Sequence, residues 1–245
     1  MEDIQNKNCG AKNNHVRLSF RILWFLAALV STVCTFTDHL KALGGDGRPV
    51  ALFFTSWSVW ISFAAAALSL AFEIFKKAKR VQNPQASDQG VLHSLLNFCA
   101  AMMMVATFLI AAFVLPEKIW TAAYWKFGSA FKHFVLPIFT IGDEILFPGK
   151  RKIFFPFLGM VIPISWCFVI IPRAVSARAS FGGSIPQDLW SQYYPYGFTN
   201  LDNGHSLKGL CLLFSAIGIG LVLFGFLFLL LEKLKSGKKS ATAAA

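Results

Sequence analysis

Between residues 131 and 147 the chain reads FKHFVLPIFTIGDEILF, an apolar run interrupted by His133, Pro137, Thr140, Asp143 and Glu144. At about 100° per residue, positions 133, 137, 140 and 144 share one helical face, so the polar groups form a stripe. Pro137 lacks an N–H, and the carbonyl four residues earlier, that of His133, loses its helical partner. An ionisable side chain in a segment of membrane-spanning character is costly and points to function.

A second apolar run, LFFTSWSVWISFAAAALSLAFEIF, carries Thr55, Ser58, Ser62 and Ser69 within about 60° of one another on a helical wheel. A threonine hydroxyl becomes a useful nucleophile when a neutral imidazole, with an ordinary pKa near ~6.5, takes its proton. Thr55 and His133 are the candidate pair, each near the same end of its run. Glu144 shares the histidine's face but lies eleven residues away, roughly 16 Å along a helix, too far to orient the ring. Asp143 is expected to anchor the opposite half of the bundle. The competing reading of every hydroxyl in the seam is close helix packing, with each bonded to a neighbour or to a backbone carbonyl.

The elements that must hold these residues follow from hydropathy. The chain has 245 residues, is 56% hydrophobic and only 14% charged, with a mean hydropathy of +0.56. These values describe a membrane protein. Six apolar segments stand out, at 18–37, 52–75, 93–115, 131–147, 153–172 and 208–231. The fourth is short for a crossing unless its helix starts near Phe127. The expected architecture is an all-α, polytopic six-helix transmembrane bundle over 18–231. A polar tail at 1–17, expected to be disordered, precedes it, and a basic tail at 232–245 follows.

The net charge of +11 is distributed by side. Fifteen of the 23 basic residues flank one face of the expected bundle: Lys7, Lys12, Arg17 and Arg21; Lys76, Lys77, Lys79 and Arg80; Lys150, Arg151 and Lys152; and Lys233, Lys235, Lys238 and Lys239. By the positive-inside rule both termini are cytoplasmic. The same bias accounts for the charge without nucleic acid, for which no motif is present. No cleavable signal peptide is evident. Cys9, Cys34, Cys99, Cys167 and Cys211 are scattered without metal spacing and read as free thiols. No cofactor or metal is expected. His93, at the start of the third run, reads as satisfied by packing. Pro156, Pro163 and Pro172 suggest kinks in the fifth, and Arg173 to Leu207 reads as the longest loop. Trp120, Tyr124 and Trp125 suit a membrane interface.

Three local patterns occur in order: FFTSWS opening the second run, HFVLPIFTIGDE in the fourth, and YPYGFTN in the last long loop. Together they resemble the androgen-induced and androgen-dependent TFPI-regulating protein family and its bacterial six-helix relatives. Ser56, Trp57 and the long loop bring the chain nearer the bacterial branch. The resemblance implies an intramembrane threonine hydrolase of fatty acid esters of hydroxy fatty acids, with Thr55 as nucleophile and His133 as base. It also implies membrane lipids and a lipid ester as partners, and a multi-pass location in a bacterial inner membrane. The aromatic loop, through Tyr194, Tyr196 and Phe198, would cover the substrate. A transporter or a lipid-binding membrane protein without hydrolysis is the alternative.

Overall fold

The computed structural model describes residues 2–43, 50–80, 90–114, 126–149 and 151–243. Among them every regular element is helical. The elements are α1 (Glu2–Lys41), α2 (Phe54–Arg80), α3 (Val91–Leu109), α4 (Phe127–Ala130), α5 (Leu136–Leu146), α6 (Phe155–Leu158), α7 (Val161–Ser180), α8 (Trp190–Tyr193) and α9 (Leu207–Ala243). The glycines and proline expected to break the first loop (Gly44, Gly45, Gly47, Pro49) lie outside the described residues, as do Trp120, Tyr124 and Trp125.

Among the described residues five helical stretches are long and apolar enough to cross a membrane: His15–Lys41, Phe54–Ala78, Val91–Ala112, Phe155–Ser180 and Leu207–Leu234. The sixth expected crossing is helical, but Lys132, Asp143 and Glu144 keep it off that set. It starts at Phe127, passes through a wide π-helical turn at Phe131–Val135, and continues as α5. Pro137 is the second residue of α5, directly after that wide turn.

Two boundaries differ from expectation. Helix α1 begins at Glu2, so the polar segment expected to be disordered continues the first helix. Helix α7 runs past Pro172 to Ser180, shortening the last long loop. A proline removes only one helical hydrogen bond, and the residues after it, RAVSARAS, include several good helix formers.

Helix α3 forms the axis. Its Phe98, Met102, Met103 and Met104 are fully buried, packed among α2, α5, α6 and α9. Small residues set the closest approaches, as expected where packing rather than water exclusion drives association. A Cβ on Gly225 of α9 would stand 2.8 Å from Pro156 Cβ and 3.1 Å from its Cα. The outside is apolar: Leu212, Ile219, Leu223 and Phe168 are each more than 60% exposed.

Charges are buried at the end of the bundle where α1 starts and α2 finishes, called here the near end. Arg21, with no exposed surface, donates to both Asp143 carboxylate oxygens at 3.0 and 3.2 Å and to Glu73 at 2.9 Å. Arg17 also pairs with Glu73, at 2.8 Å. Arg151 donates to Glu144 at 2.7 Å and to the Phe228 carbonyl at 2.6 Å. Asp143 therefore anchors one half of the bundle, as expected. Arg21 and Arg151, read from the sequence as flanking topology signals, are instead ion-paired inside it.

Candidate functional site

A node at Thr140 fixes the register of three helices. Trp24 of α1 donates its indole N–H to Thr140 Oγ1 at 2.9 Å. Ser62 of α2 approaches the same oxygen at 2.6 Å. The Thr140 hydroxyl donates to the Leu136 carbonyl at 2.8 Å, so Ser62 must supply the proton of its own bond.

Seven residues further toward the far end stand Ser31 on α1, Thr55 on α2 and His133 on the fourth segment. Seven residues are about 10 Å of α-helix; the π-helical turn at Phe131–Val135 changes the bearing of His133 but its level only slightly. The three side chains therefore come from the same level. The Ser31 hydroxyl is fully buried and, among the described residues, has no hydrogen-bond partner. The signal for Ser31 was present in the sequence as the shared spacing Trp24/Ser31, Ser62/Thr55 and Thr140/His133, but it carries meaning only once the Thr140 node is known.

Thr55 is held from the loop side. Its hydroxyl lies 3.4 Å from the Tyr196 hydroxyl, and its backbone N–H, free at a helix start, donates to Tyr196 Oη at 3.3 Å. No hydrogen bond joins Thr55 to His133. Burial pushes the Tyr196 hydroxyl above its usual pKa, against the opposing bonds from Thr55. It stays protonated and able to donate.

The three loop aromatics divide. Tyr196 and Phe198 stack with centroids 5.1 Å apart and planes at 13°. Tyr196 also meets Phe53 and Trp166 edge-on. Tyr194 turns into a separate cap, buried with Ile185 and Leu201. Its hydroxyl donates to Asp202 at 2.6 Å. Burial pushes the Asp202 carboxyl up, but the Tyr194 hydroxyl, the Ile185 N–H and Arg178 together outweigh it and hold Asp202 below the usual carboxylate range. The same contact and burial push the Tyr194 hydroxyl up.

The remaining seam hydroxyls pack as expected. Ser58 accepts from Thr107 at 2.7 Å. Ser69 bonds His93 at 2.8 Å and Asn97 at 3.0 Å, so His93 is satisfied across the α2–α3 contact.

Beside this level, α7 and α9 enclose a cavity of about 760 Å³. Phe54, Ala106 and Ile110 form its back wall. Trp166 lines it too, and its indole donates to the Leu52 carbonyl at 2.7 Å. Phe54 and Trp166 pack edge to face at 5.3 Å. Neither Thr55 nor His133 lines the cavity. Trp166 touches the cavity on one side and the Tyr196 ring on the other. Among the described residues no group of three His, Cys, Asp or Glu side chains is placed to hold a metal ion.

Comparison with protein-family models, curated proteins and solved structures finds no match.

Proposed function

We propose that the chain is a six-crossing membrane protein that hydrolyses a lipid acyl ester, with Thr55 as nucleophile and His133 as base. The observation that carries this reading is the Thr140 node, whose register brings both residues to one level of the bundle. The resemblance of FFTSWS, HFVLPIFTIGDE and YPYGFTN to the threonine hydrolase family supports the same pair. The segment 127–146 serves as the sixth crossing because its two acids are neutralised by Arg21 and Arg151. The basic bias of the near end argues for cytoplasmic termini, and the nearness to the bacterial branch for a bacterial inner membrane.

The chemistry balances as acyl transfer followed by hydrolysis. His133 takes the Thr55 proton as the Thr55 oxygen bonds to the ester carbonyl carbon. The bond to the alcohol oxygen breaks, and that oxygen leaves with the proton from His133. A water molecule, giving its proton to the same ring, then bonds to the acyl carbon; the bond to Thr55 breaks, the Thr55 oxygen takes the proton back from His133, and the fatty acid leaves. Tyr196 and Ser31 supply hydrogen-bond donors for the negative charge on the carbonyl oxygen. For this to occur the Thr55 hydroxyl exchanges its contact with Tyr196 for one with His133.

The test is turnover of a long-chain ester by purified protein. Thr55→Ala and His133→Ala each lower it to background while the thermal melting temperature is unchanged. Full turnover in either variant rejects the assignment.

A second reading is a lipid-binding protein without hydrolysis. It is favoured by the cavity, whose lining includes neither Thr55 nor His133. Saturable lipid binding by a wild-type protein that turns over no ester would select it.

A further inference from the structure

The cavity between α7 and α9 is a slot rather than a chamber. It runs from Phe157 and Leu221 in the middle of the bundle to Pro172 and Cys211 at the far end. At 1.5 Å per residue that is on the order of 20 Å, most of the ~30 Å thickness of a bilayer's hydrocarbon. Its lining is almost wholly apolar, and its long axis follows the helices. On its wall Gly218 lies against Met160, where an added Cβ would come within 3.2 Å of Met160 Cε.

Its far mouth carries a charge. Positions 211, 215, 218 and 222 of α9 line the slot at steps of four, three and four. Lys208 continues that stripe one turn outward, and it is exposed. It makes no hydrogen bond or ion pair among the described residues. The neighbouring cation, Arg173, is engaged by the Tyr193 ring at 5.2 Å and the Gln192 carbonyl at 3.3 Å. Lys208 is thus the cation at the mouth left to meet a ligand, and a flexible ammonium at an interface suits one anionic headgroup.

We infer that this slot binds one long-chain fatty acid, its chain lying between α7 and α9 and its carboxylate at Lys208. An apolar groove on the order of 20 Å long matches one acyl chain, and the exposed Lys208 ammonium at its mouth suits one carboxylate. The volume lies within the range of about 300–1,000 Å³ usual for small-molecule sites. The inference does not depend on hydrolysis at Thr55.

The experiment uses the full chain in nanodiscs of neutral phosphatidylcholine and a 16-carbon fatty acid with a diazirine near its methyl end. Photolabelling should concentrate on inward slot residues such as Met160, Ile217 and Leu221, and excess palmitate should remove it. Gly218→Phe should reduce labelling at least tenfold. Because that variant changes a packed position, a second arm blocks the folded wild-type protein at exposed Cys211 with a bulky maleimide, with Cys211→Ser as control. It should give the same loss. Lys208→Glu should raise the half-saturating fatty acid concentration about tenfold while leaving labelling by the matching diazirine alcohol unchanged. Labelling spread over all outward helix faces and indifferent to palmitate would mean bulk lipid contact and overturn the inference. Competition by phosphatidylglycerol as effective as palmitate would overturn the choice of a free fatty acid.

Discussion

The two ends of the bundle handle polar groups in opposite ways. At the near end Arg21, Asp143, Glu73, Arg151 and Glu144 are all deeply buried, and each finds a charged partner at 3.0 Å or less. Around Thr55 at the far end the buried groups are neutral hydroxyls: among the described residues Ser31 Oγ has no hydrogen-bond partner and Thr55 is held on bonds of 3.3 and 3.4 Å, while the charged pairs of that end, such as Lys132 with Asp38 at 2.6 Å, involve a carboxylate half exposed to the surroundings. Buried charges that satisfy one another have nothing left for a substrate. Hydroxyls held by long bonds beside an apolar slot do. Intramembrane acids alone would have drawn attention to the near end, yet its paired geometry is that of a fastening.

The comparison predicts that near-end substitutions cost stability and far-end ones cost activity. Arg21→Met leaves Asp143 without its guanidinium and should destabilise by about 3–5 kcal/mol, read as lost folded yield or a large fall in melting temperature. Combining it with Asp143→Leu should recover much of that loss, because a buried pair replaced by apolar groups of similar volume is often nearly neutral. Failure of the double variant to recover would show that the pair does more than fasten helices. Gly225→Ala, where Pro156 backbone blocks the new methyl, should cost about 1–3 kcal/mol by overpacking.

Tyr196→Phe comes next in size. It removes both bonds to Thr55 and should lower melting stability by only about 0.5–1.5 kcal/mol, with a proportionally larger effect on ester turnover if the hydroxyl serves the reaction. The smallest effect concerns the cap. Asp202 has a depressed folded pKa, so its contribution to stability is present above the unfolded value near ~3.9 and is lost as pH falls through the folded one. Cap docking, followed by Trp190 fluorescence, should weaken in that acid window, and Asp202→Asn should flatten the dependence.

Much of the scaffold was legible in the sequence because long apolar runs admit one structure in lipid. Five of the six runs appear as helices of crossing length, and the early start at Phe127 follows from the shortness of the fourth. The near-end fastening was not legible. Arg21 and Asp143 lie 122 residues apart, and a buried arginine where an apolar run begins looks like one that flanks a membrane. The site was half legible. Local motifs marked Thr55, His133 and Tyr196, and Tyr196 does reach Thr55. Nothing local distinguishes Tyr194 from Tyr196, two residues apart in one aromatic cluster, yet one serves the cap and the other the helix. The extension of α7 past Pro172 was hidden because a proline marks a helix end far more often than an interior.

The wide turn at Phe131–Val135 separates two functions of one segment. A π turn holds one residue more than the α-helix around it requires. Removing a single residue there would let the segment rewind and swing His133 by about 100°, while Thr140 and Asp143, further along, keep their partners. One codon therefore sets the bearing of the imidazole independently of everything that anchors its helix. Lineages that gained or lost it would share a framework while differing in where their imidazole faces.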